Sequence, residues 1–226
     1  MKRSNESEDV QEWIPKTRLG RQVKEGKITD IIEIFESNER ILEPEIVDAL
    51  LPDLEEDYIN IGQAKGKFGG GKRRIIRQTQ KKTKEGSKLT FSTLAVVGNK
   101  NGIVGVGFGK AAESRPAKEK ALRKAKLNIM RVPIGCGSWE CNCGEKHSLP
   151  FTVSGKCSSV NVKLMPAPKG TGLAVEAEIR KILHLAGYKD VWSQVRGQAR
   201  RKKNLVDACL SALKQGNKMR LLNGKK

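Results

Sequence analysis

The segment from Leu89 to Arg131 restricts the possible folds of this chain more than any other part. Its first half, KLTFSTLAVVGN, alternates with the period of a strand, and one face consists of Leu89, Phe91, Thr93, Ala95 and Val97. Asn101-Gly102 is a strong signal for a tight hairpin turn, and IVGVGFGKA after it indicates the return strand. We expect Ser114 to cap a following helix, with Pro116 tolerated in its first turn.

The predicted helix has one apolar and one basic side. The apolar stripe consists of Ala121, Leu122, Ala125 and Ile129. The basic side consists mainly of Lys120, Arg123, Lys124 and Lys126. The segment therefore predicts a hairpin covered by a helix whose outer side is positively charged.

A run of basic residues, KGKFGGGKRRIIRQTQKKTK, occupies positions 65–84. It contains nine Lys or Arg residues and no Asp or Glu. Cations of one sign repel each other unless an anion neutralises them, and Gly69 to Gly71 let backbone N–H groups approach that anion. Nucleic-acid phosphate is the simplest such anion, and the alternative is a disordered basic linker. Because Tyr58, Ile59 and Ile61 suggest an earlier strand, we interpret the run as a loop between the first two of three strands.

The charge is unevenly distributed along the 226 residues. The net charge is +19, yet residues 1–60 contain 8 basic and 16 acidic residues, against 36 and 9 in the remainder. Such a positive field attracts nucleic acid or an anionic membrane. The basic runs lack the amphipathic aromatic pattern of a membrane-surface helix, and no apolar stretch approaches the ~20 residues that span a bilayer. The N-terminus has no signal-peptide core, so we expect a cytoplasmic protein with reduced or metal-bound cysteines.

The composition and pattern predict an α+β chain in five segments. We assign an amphipathic extension to residues 1–53, an RNA-binding domain to 54–131, a Cys/His linker to 132–149, a second domain to 150–216 and a basic tail to 217–226. In the extension, Thr29 or Asp30 can cap one short helix and Pro44 can begin another. We expect this acidic segment to dock on the rest of the chain or on a neighbour.

The second domain has an α+β pattern. PFTVSGKCSSVNVKLMPAP indicates a hairpin, because Val160, Val162 and Leu164 alternate. A helix with a strong apolar stripe follows, and Gly187 ends it. Residues 189–197 indicate a strand, and Asn204 can cap a last helix with Leu205, Val206, Cys209, Ala212 and Leu213 directed inward.

Four metal-competent residues fall within twelve positions, in GCGSWECNCGEKHS. They are Cys136, Cys141, Cys143 and His147. Three sulfurs and an imidazole suit tetrahedral zinc, and a site filled by four protein ligands would be structural. The spacing is not a standard zinc-finger pattern, so reduced free thiols and redox chemistry stay open as alternatives. Cys157 is a spare candidate ligand.

Other motifs do not support enzymatic chemistry. GVGFGK at positions 105–110 lacks the glycine spacing of a dinucleotide fingerprint, and Ala111 stands where a P-loop needs Ser or Thr. Its glycines instead predict a strand that another element approaches closely. Cys209 is expected in the core, and His184 is expected on the exposed side of its helix. The chain also lacks the motifs of hydrolases and nucleic-acid deaminases.

Several of these stretches together resemble the small-subunit ribosomal protein family S-five, called S-two in eukaryotic naming. The resemblance rests on GKFGGGKRRI, on FSTLAVVGNKNGIVGVGFGKAAESRPAKEKALRKAKLNI and on LMPAPKGTGLAV. WIPKTRLGRQV near the N-terminus is similar to the archaeal and eukaryotic branch. The resemblance implies a double-stranded-RNA-binding-like first domain followed by the β-α-β-α second domain of this family.

The resemblance also implies binding to small-subunit ribosomal RNA and contact with ribosomal proteins S-four and S-eight. It implies a part in translational accuracy and a position near the mRNA entry channel. The basic glycine loop of the family falls on residues 69–74, and its strand-turn-helix on residues 102–131. Two departures from bacterial members stand out, namely the insertion at residues 75–87 and the cysteine cluster, so the family as a whole does not imply zinc.

We therefore interpret the chain as a non-enzymatic structural component of the small ribosomal subunit. The alternatives are a non-ribosomal RNA-binding regulator and, in a third class, a metal-dependent enzyme. The candidate RNA-binding residues are Lys65, Lys67, Gly69, Gly70, Gly71, Lys72, Arg73, Arg74, Arg77, Lys110, Arg115, Lys120, Arg123 and Lys124. The candidate cofactor is one structural zinc ion.

Overall fold

The structure is a computed structural model, and it describes residues 13–37, 39–64, 71 and 73–218. Three short helices come first, α1 Arg18–Lys24, α2 Ile31–Glu36 and α3 Glu45–Leu50. The first sheet region follows with β1 Glu55–Ile59, β2 Arg77–Thr83, β3 Gly86–Gly98, β4 Ile103–Ala111, α4 Ser114–Leu127 and β5 Ile129–Arg131. The second sheet region consists of β6 Val153–Cys157, β7 Val160–Pro166, β8 Leu173–Ala174, α5 Ala177–Ala186, β9 Val191–Arg196 and α6 Lys202–Lys218.

The first sheet is antiparallel and is built around the predicted hairpin. Its strands lie in the order β1-β3-β4-β5, and β2 also pairs with β3. At the turn, the Asn99 side chain accepts hydrogen bonds from the backbone N–H groups of Asn101 (2.9 Å) and Ile103 (3.2 Å). Gly102 has φ +86°, a left-handed conformation that favours glycine. The predicted hairpin and its turn are confirmed.

Helix α4 lies directly against β4, because glycines replace side chains at the contact. A Cβ atom on Gly107 would lie 2.2 Å from the backbone oxygen of Ala121, and one on Gly109 would lie 2.1 Å from that of Ala117. The helix contributes the fully buried residues Ala117, Ala121 and Ala125 to this contact. The prediction that something approaches this strand closely is confirmed, while Ile129 belongs to β5 and not to the helix stripe.

Strand β3 is buried on both faces in its second half. Ala95 and Val97 pack with α4, as the alternation predicts. Leu94 and Val96 belong to the large core cluster that contains Ile182 of α5. The second sheet region thus covers the other face of this strand, because its helix α5 packs there.

Residues 75–87 are the main departure from the predicted loop. They contain β2 and the start of β3, which pair from Arg77↔Ser92 to Thr83↔Gly86. The hydroxyls of Thr79 and Thr90 lie 2.7 Å apart across this hairpin. The interpretation of this insertion as a loop is wrong, because cross-strand pairing extends the first sheet as a two-stranded ribbon.

The N-terminal helices pack on the first sheet region, which is one of the two docking possibilities that the sequence left open. Ile34 and Ile46 form a buried cluster with Ile103 of β4. Lys126 of α4 makes a 2.6 Å ion pair with Asp48 of α3. Helix α1 was not predicted from the sequence, and its N-terminus is capped by the Thr17 hydroxyl.

Several predicted helix starts need correction. Ser114 is the first residue of α4, and Glu113 precedes it without a side-chain cap hydrogen bond. Helix α6 begins at Lys202, two residues before Asn204. Asp30 is at the cap position of α2 but makes no capping hydrogen bond, and α3 begins directly after Pro44. Propensity alone does not distinguish a cap from the first turn.

The second sheet has the order β6-β7-β9-β8, in which β8 runs parallel to β9 and the other pairs are antiparallel. Helix α6 packs closely on β6, where a Cβ atom on Gly155 would lie 2.2 Å from the Ala208 oxygen. Gly187, with φ +98°, ends α5 as predicted. Cys209 is fully buried in this core, as expected.

The two sheet regions share one core. One buried cluster joins Leu94 and Val104 of the first region to Leu183 of the second. At its edge, the buried carboxylate of Glu178 accepts hydrogen bonds from the backbone (2.9 Å) and side-chain (3.2 Å) nitrogens of Asn60. This contact fixes the first sheet relative to α5.

Candidate nucleic-acid interface and metal site

Five of the predicted RNA-binding residues lie outside the described part of the chain. They are Lys65, Lys67, Gly69, Gly70 and Lys72. Ala64 precedes this segment and Arg73 follows it, and these two residues form a β-bridge. The two ends of the predicted loop therefore lie next to each other at the first sheet region.

The described cations after the glycines lie at the base of the β2–β3 hairpin. Arg73 donates a hydrogen bond from its guanidinium to the backbone oxygen of Arg200 (3.2 Å). Arg74 and Arg77 are exposed. These side chains concentrate positive charge on the surface of the first sheet region.

Helix α4 presents a second set of cations. Its sequence contains six basic residues and the single acid Glu119. The predicted Arg115, Lys120, Arg123 and Lys124 are all exposed, and so is Lys110 at the end of β4. Because the alanine stripe faces β4, the cations are left on the solvent side.

The structure brings the loop base and the start of α4 together around one cavity of about 550 Å³. Arg73 and Arg74 line it from one side, and Ser114 and Lys118 line it from the helix. The aromatic ring of Phe91 also lines the cavity. The sequence does not indicate this role, because Phe91 lies in an ordinary strand alternation and the cavity forms only when the helix packs on the sheet.

The four predicted metal ligands converge as one cluster. The donor atoms of Cys136, Cys141, Cys143 and His147 all lie within 4.8 Å of one another. The Cys141 sulfur is 3.6 Å from Nε2 of His147, and the sulfurs of Cys136 and Cys143 are also 3.6 Å apart. Cys157 does not belong to this cluster, which is the only one found in the part of the chain that the structure describes.

Backbone pairing holds the cluster. Gly135 and Ser148 form a two-residue bridge, with hydrogen bonds of 2.8 Å in both directions. Gly137 lies so close to the backbone of Pro150 that a Cβ atom would be 2.0 Å from its oxygen. The segment between them reverses through Gly144, which has φ +63°. This closed loop brings the ligands together.

Asp190 orients the histidine ligand. Its Oδ2 lies 2.7 Å from Nδ1 of His147, and both side chains are buried. Its other oxygen accepts hydrogen bonds from the N–H groups of Gly170 (3.1 Å) and Gly172 (2.8 Å). A carboxylate on Nδ1 leaves Nε2, the nitrogen near Cys141, free to bind a metal. No sequence signal identifies Asp190, because it is 43 residues from His147 and belongs to no local motif.

The surroundings of the cluster lower the pKa of one of its thiols and raise the pKa of another. A hydrogen bond from the Lys169 backbone N–H, and a further one from Cys143, lower the pKa of Cys141 to about 6. Desolvation, together with its contact to Cys143, raises the pKa of Cys136 to about 11. A thiolate is therefore available at neutral pH as a first metal ligand.

The other singled-out residues have structural positions. Burial raises the pKa of Cys209 to about 12, which makes it an inert core thiol. His184 is exposed on α5, as expected. Among the described ranges, none of the helices has the length and apolarity needed to cross a membrane.

Two family models match the chain. "Ribosomal protein S5, N-terminal domain" matches residues 75–133, and "Ribosomal protein S5, C-terminal domain" matches residues 155–224. The chain belongs to the ribosomal protein S5 family. This confirms the resemblance and the α+β fold class, with a double-stranded-RNA-binding-like first region and a second region of the S5 C-terminal type.

Curated relatives in the S5 family carry the name "Small ribosomal subunit protein uS5". The protein of Nanoarchaeum equitans is 50% identical over 94% of this chain and 91% of its own length. That of Ignicoccus hospitalis is 49% identical over 91% and 90%, and that of Methanocaldococcus jannaschii is 48% identical over 92% and 89%. These names do not support the alternative of a non-ribosomal regulator.

The two S5 family matches cover some of the candidate sites and not others. The N-terminal match begins at residue 75, so it includes the β2–β3 hairpin and α4 but not the glycine loop at 69–74. The Cys/His cluster lies between the two matches. The family matches therefore give no support for or against a metal at this cluster.

Proposed function

We propose that this protein is a structural constituent of the small ribosomal subunit in the cytoplasm and binds ribosomal RNA. The observation that carries the proposal is the cation surface shared by the loop base and α4, which meet around one cavity. Family membership and the names of the relatives support it. A surface of this kind lowers the repulsion between RNA phosphates that folding brings together.

We assign this RNA contact to the basic residues of the loop and helix, and to the glycines between them. The described members are Gly71, Arg73, Arg74, Arg77, Lys110, Arg115, Lys120, Arg123 and Lys124. Lys65, Lys67, Gly69, Gly70 and Lys72 complete the set in sequence. At the loop and α4, folded RNA is the favoured target, because phosphate contact needs cations and not the aromatic platforms of single-strand binders.

The finer role follows from the family resemblance. We propose contact with ribosomal proteins S-four and S-eight, a place near the mRNA entry channel and a contribution to translational accuracy, without catalysis by this chain. The proposed units are residues 1–53, 54–131, 132–149, 150–216 and 217–226. The shared core supports treating the second and fourth of these as one folded body.

Sedimentation of cell extract tests the ribosomal role. The tagged full chain is expected to co-migrate with small subunits and to remain with them in moderate salt. Recovery only in light fractions would contradict the proposal. Lys27→Ala is the control variant, because Lys27 is an exposed residue of the N-terminal extension. Cys209→Ala is not a suitable control, because it disturbs the core.

We further propose that Cys136, Cys141, Cys143 and His147 hold one structural zinc ion. The donors fit, since three sulfurs and one imidazole nitrogen all lie within 4.8 Å of one another and can surround one ion. Asp190 orients the imidazole. Bound zinc would cross-link the linker and fix the loop that joins the two sheet regions. Four protein ligands leave no open position for catalysis.

Elemental analysis of purified, metal-washed protein tests this site. About one zinc per chain is expected, and a Cys141→Ser, Cys143→Ser double variant should bind none. Less than about a tenth of an equivalent in the unchanged chain would refute the zinc proposal. The ribosomal role does not depend on that result.

A further inference from the structure

We propose a second RNA-binding surface on the exposed face of the second sheet, termed the outer face and formed by β6, β7, β8 and β9. The inference rests on the proposed RNA-binding function and adds a site separate from the loop and α4. It assigns to this face an RNA strand whose phosphates lie on three cations and one of whose bases stacks on Trp192.

The register of the sheet arranges the outer face in three cross-strand rows. The first row is Lys156–Asn161–Arg196, since Asn161 pairs with both neighbours. The second row is Ser154–Lys163–Gln194. The third is Met165–Trp192–Ala174. Neighbouring strands are about 4.8 Å apart, and rows two residues apart are separated by about 6.7 Å, so the three rows form one continuous patch.

Alternation separates this face from the core. Val162, Leu164 and Val191 point inward and are buried. The members of the first two rows are all exposed, and Trp192 remains 37% exposed although it is a large aromatic residue. The chain leaves an aromatic ring and three long cations on one side of a sheet whose other side packs on the core.

The charge of the outer face has one sign. Strands β6, β7 and β9 contain Lys156, Lys163 and Arg196, and their sequences contain no Asp or Glu. In the described part of the chain, none of these three cations takes part in an ion pair. The acid-free composition contrasts with the helices behind the sheet, where Glu176 at the N-cap of α5 pairs with Lys202 of α6.

The same cations surround an open depression of about 540 Å³. Asn161 and Gln194 of the sheet and Gln215 of α6 line it with them, so amide donors and acceptors lie beside the positive charges. Phosphates favour the cations, base edges can hydrogen-bond to the amides, and stacking on an exposed aromatic ring is available to every base. We choose RNA over an acidic protein segment because amides and an aromatic ring accompany the cations.

Salt-dependent binding of the full chain to transcribed small-subunit ribosomal RNA tests the proposal. A Lys156→Ala, Lys163→Ala, Arg196→Ala variant should bind more weakly and show a flatter log–log salt dependence, by roughly 0.7–0.9 for each phosphate that is no longer neutralised. A Lys16→Ala, Arg21→Ala, Lys27→Ala variant removes the same charge from the N-terminal extension and should keep the original slope. An Arg73→Ala, Arg74→Ala variant reports separately on the loop.

The outcomes separate the two proposals. A flatter slope in the outer-face variant but not in the control supports the second surface. An unchanged slope in the outer-face variant, with a flatter slope in the loop variant, overturns the second surface and leaves the ribosomal function standing. An unchanged slope in both variants overturns RNA contact at both places.

Cross-linking of the unchanged chain keeps the test independent of variant folding. Ultraviolet irradiation of the RNA complex should give a nucleotide adduct on Trp192 or a neighbouring outer-face residue, identified by mass spectrometry. Protection of these residues in small subunits without any RNA adduct would show that protein covers the face, which contradicts the proposal.

Discussion

At the residue scale, the Cys/His cluster depends on a side chain outside it. One carboxylate oxygen of Asp190 accepts hydrogen bonds from the backbone N–H groups of Gly170 and Gly172, and the other oxygen lies at hydrogen-bond distance from Nδ1 of His147. The turn therefore sets the orientation of the carboxylate, and the carboxylate sets the tautomer of the histidine. The ligands could be read from the sequence, but this orientation could not.

Asp190→Asn should weaken zinc binding by about 10–100-fold. The amide keeps the shape of the carboxylate, but an amide N–H placed at Nδ1 favours the tautomer with its proton on Nε2, which blocks the metal. Competition with a chromophoric chelator measures the change. Glu145→Gln is the matched control, because Glu145 is exposed and makes a 2.8 Å ion pair with Lys169. Equally weakened binding in both variants would assign the effect to general charge.

A second residue-scale prediction concerns Gly107. Its replacement by Ala should lower the free energy of unfolding by about 1–3 kcal/mol, because the added methyl group would push α4 away from β4. Gly216→Ala in α6 is the control, since its nearest atoms are 3.5 Å away and alanine favours a helix. Urea unfolding measures both. A destabilisation in Gly216→Ala as large as in Gly107→Ala would refute the packing argument.

At the element scale, the β2–β3 hairpin changes the interpretation of the basic run. Cross-strand pairs such as Thr79 with Thr90 make its second half a ribbon. Lys81, Lys82 and Lys84 are exposed along this ribbon and near its turn. The hairpin thus carries positive charge beyond the sheet, while Arg73 and Arg74 remain at its base.

Replacing Lys72, Arg73 and Arg74 with Ala should weaken RNA binding and flatten its salt dependence. The log–log slope should fall by roughly 0.7–0.9 for each phosphate that these side chains neutralise. Filter binding across a series of potassium chloride concentrations measures the slope. A Lys81→Ala, Lys82→Ala, Lys84→Ala variant removes the same charge from the hairpin and separates its contribution from that of the loop. An unchanged slope in the first variant would mean that the loop does not touch phosphate.

At the scale of the whole molecule, the two sheet regions share one continuous core. The buried cluster crosses between them, and Lys100 and Gly102 of the first hairpin turn donate backbone hydrogen bonds to Leu185 and Ala186 of α5 (2.9 Å each). The family models treat the regions as two domains, but their interior is continuous. We expect them to unfold together.

Leu94→Ala should destabilise both regions by about 2–5 kcal/mol, because it opens a cavity in the shared core. Leu89→Ala on the same strand is the control: Leu89 is 39% exposed, and a surface change of this kind costs about 0.5 kcal/mol. Denaturation followed by far-UV circular dichroism and by tryptophan fluorescence should give coincident transitions. Two separate transitions would show that the regions fold independently.

The sequence by itself determined the strand–turn–strand–helix unit, the second α+β region, the identity of the four cluster residues and the uneven charge. These follow from period, turn chemistry and ligand type, which are local. Only the tertiary structure decided that α5 covers the second face of β3, that residues 75–87 form a ribbon, that Asp190 orients His147 and that three cations share the outer face with Trp192. Each of these depends on which distant segments meet, because packing and strand register join residues that no local pattern relates.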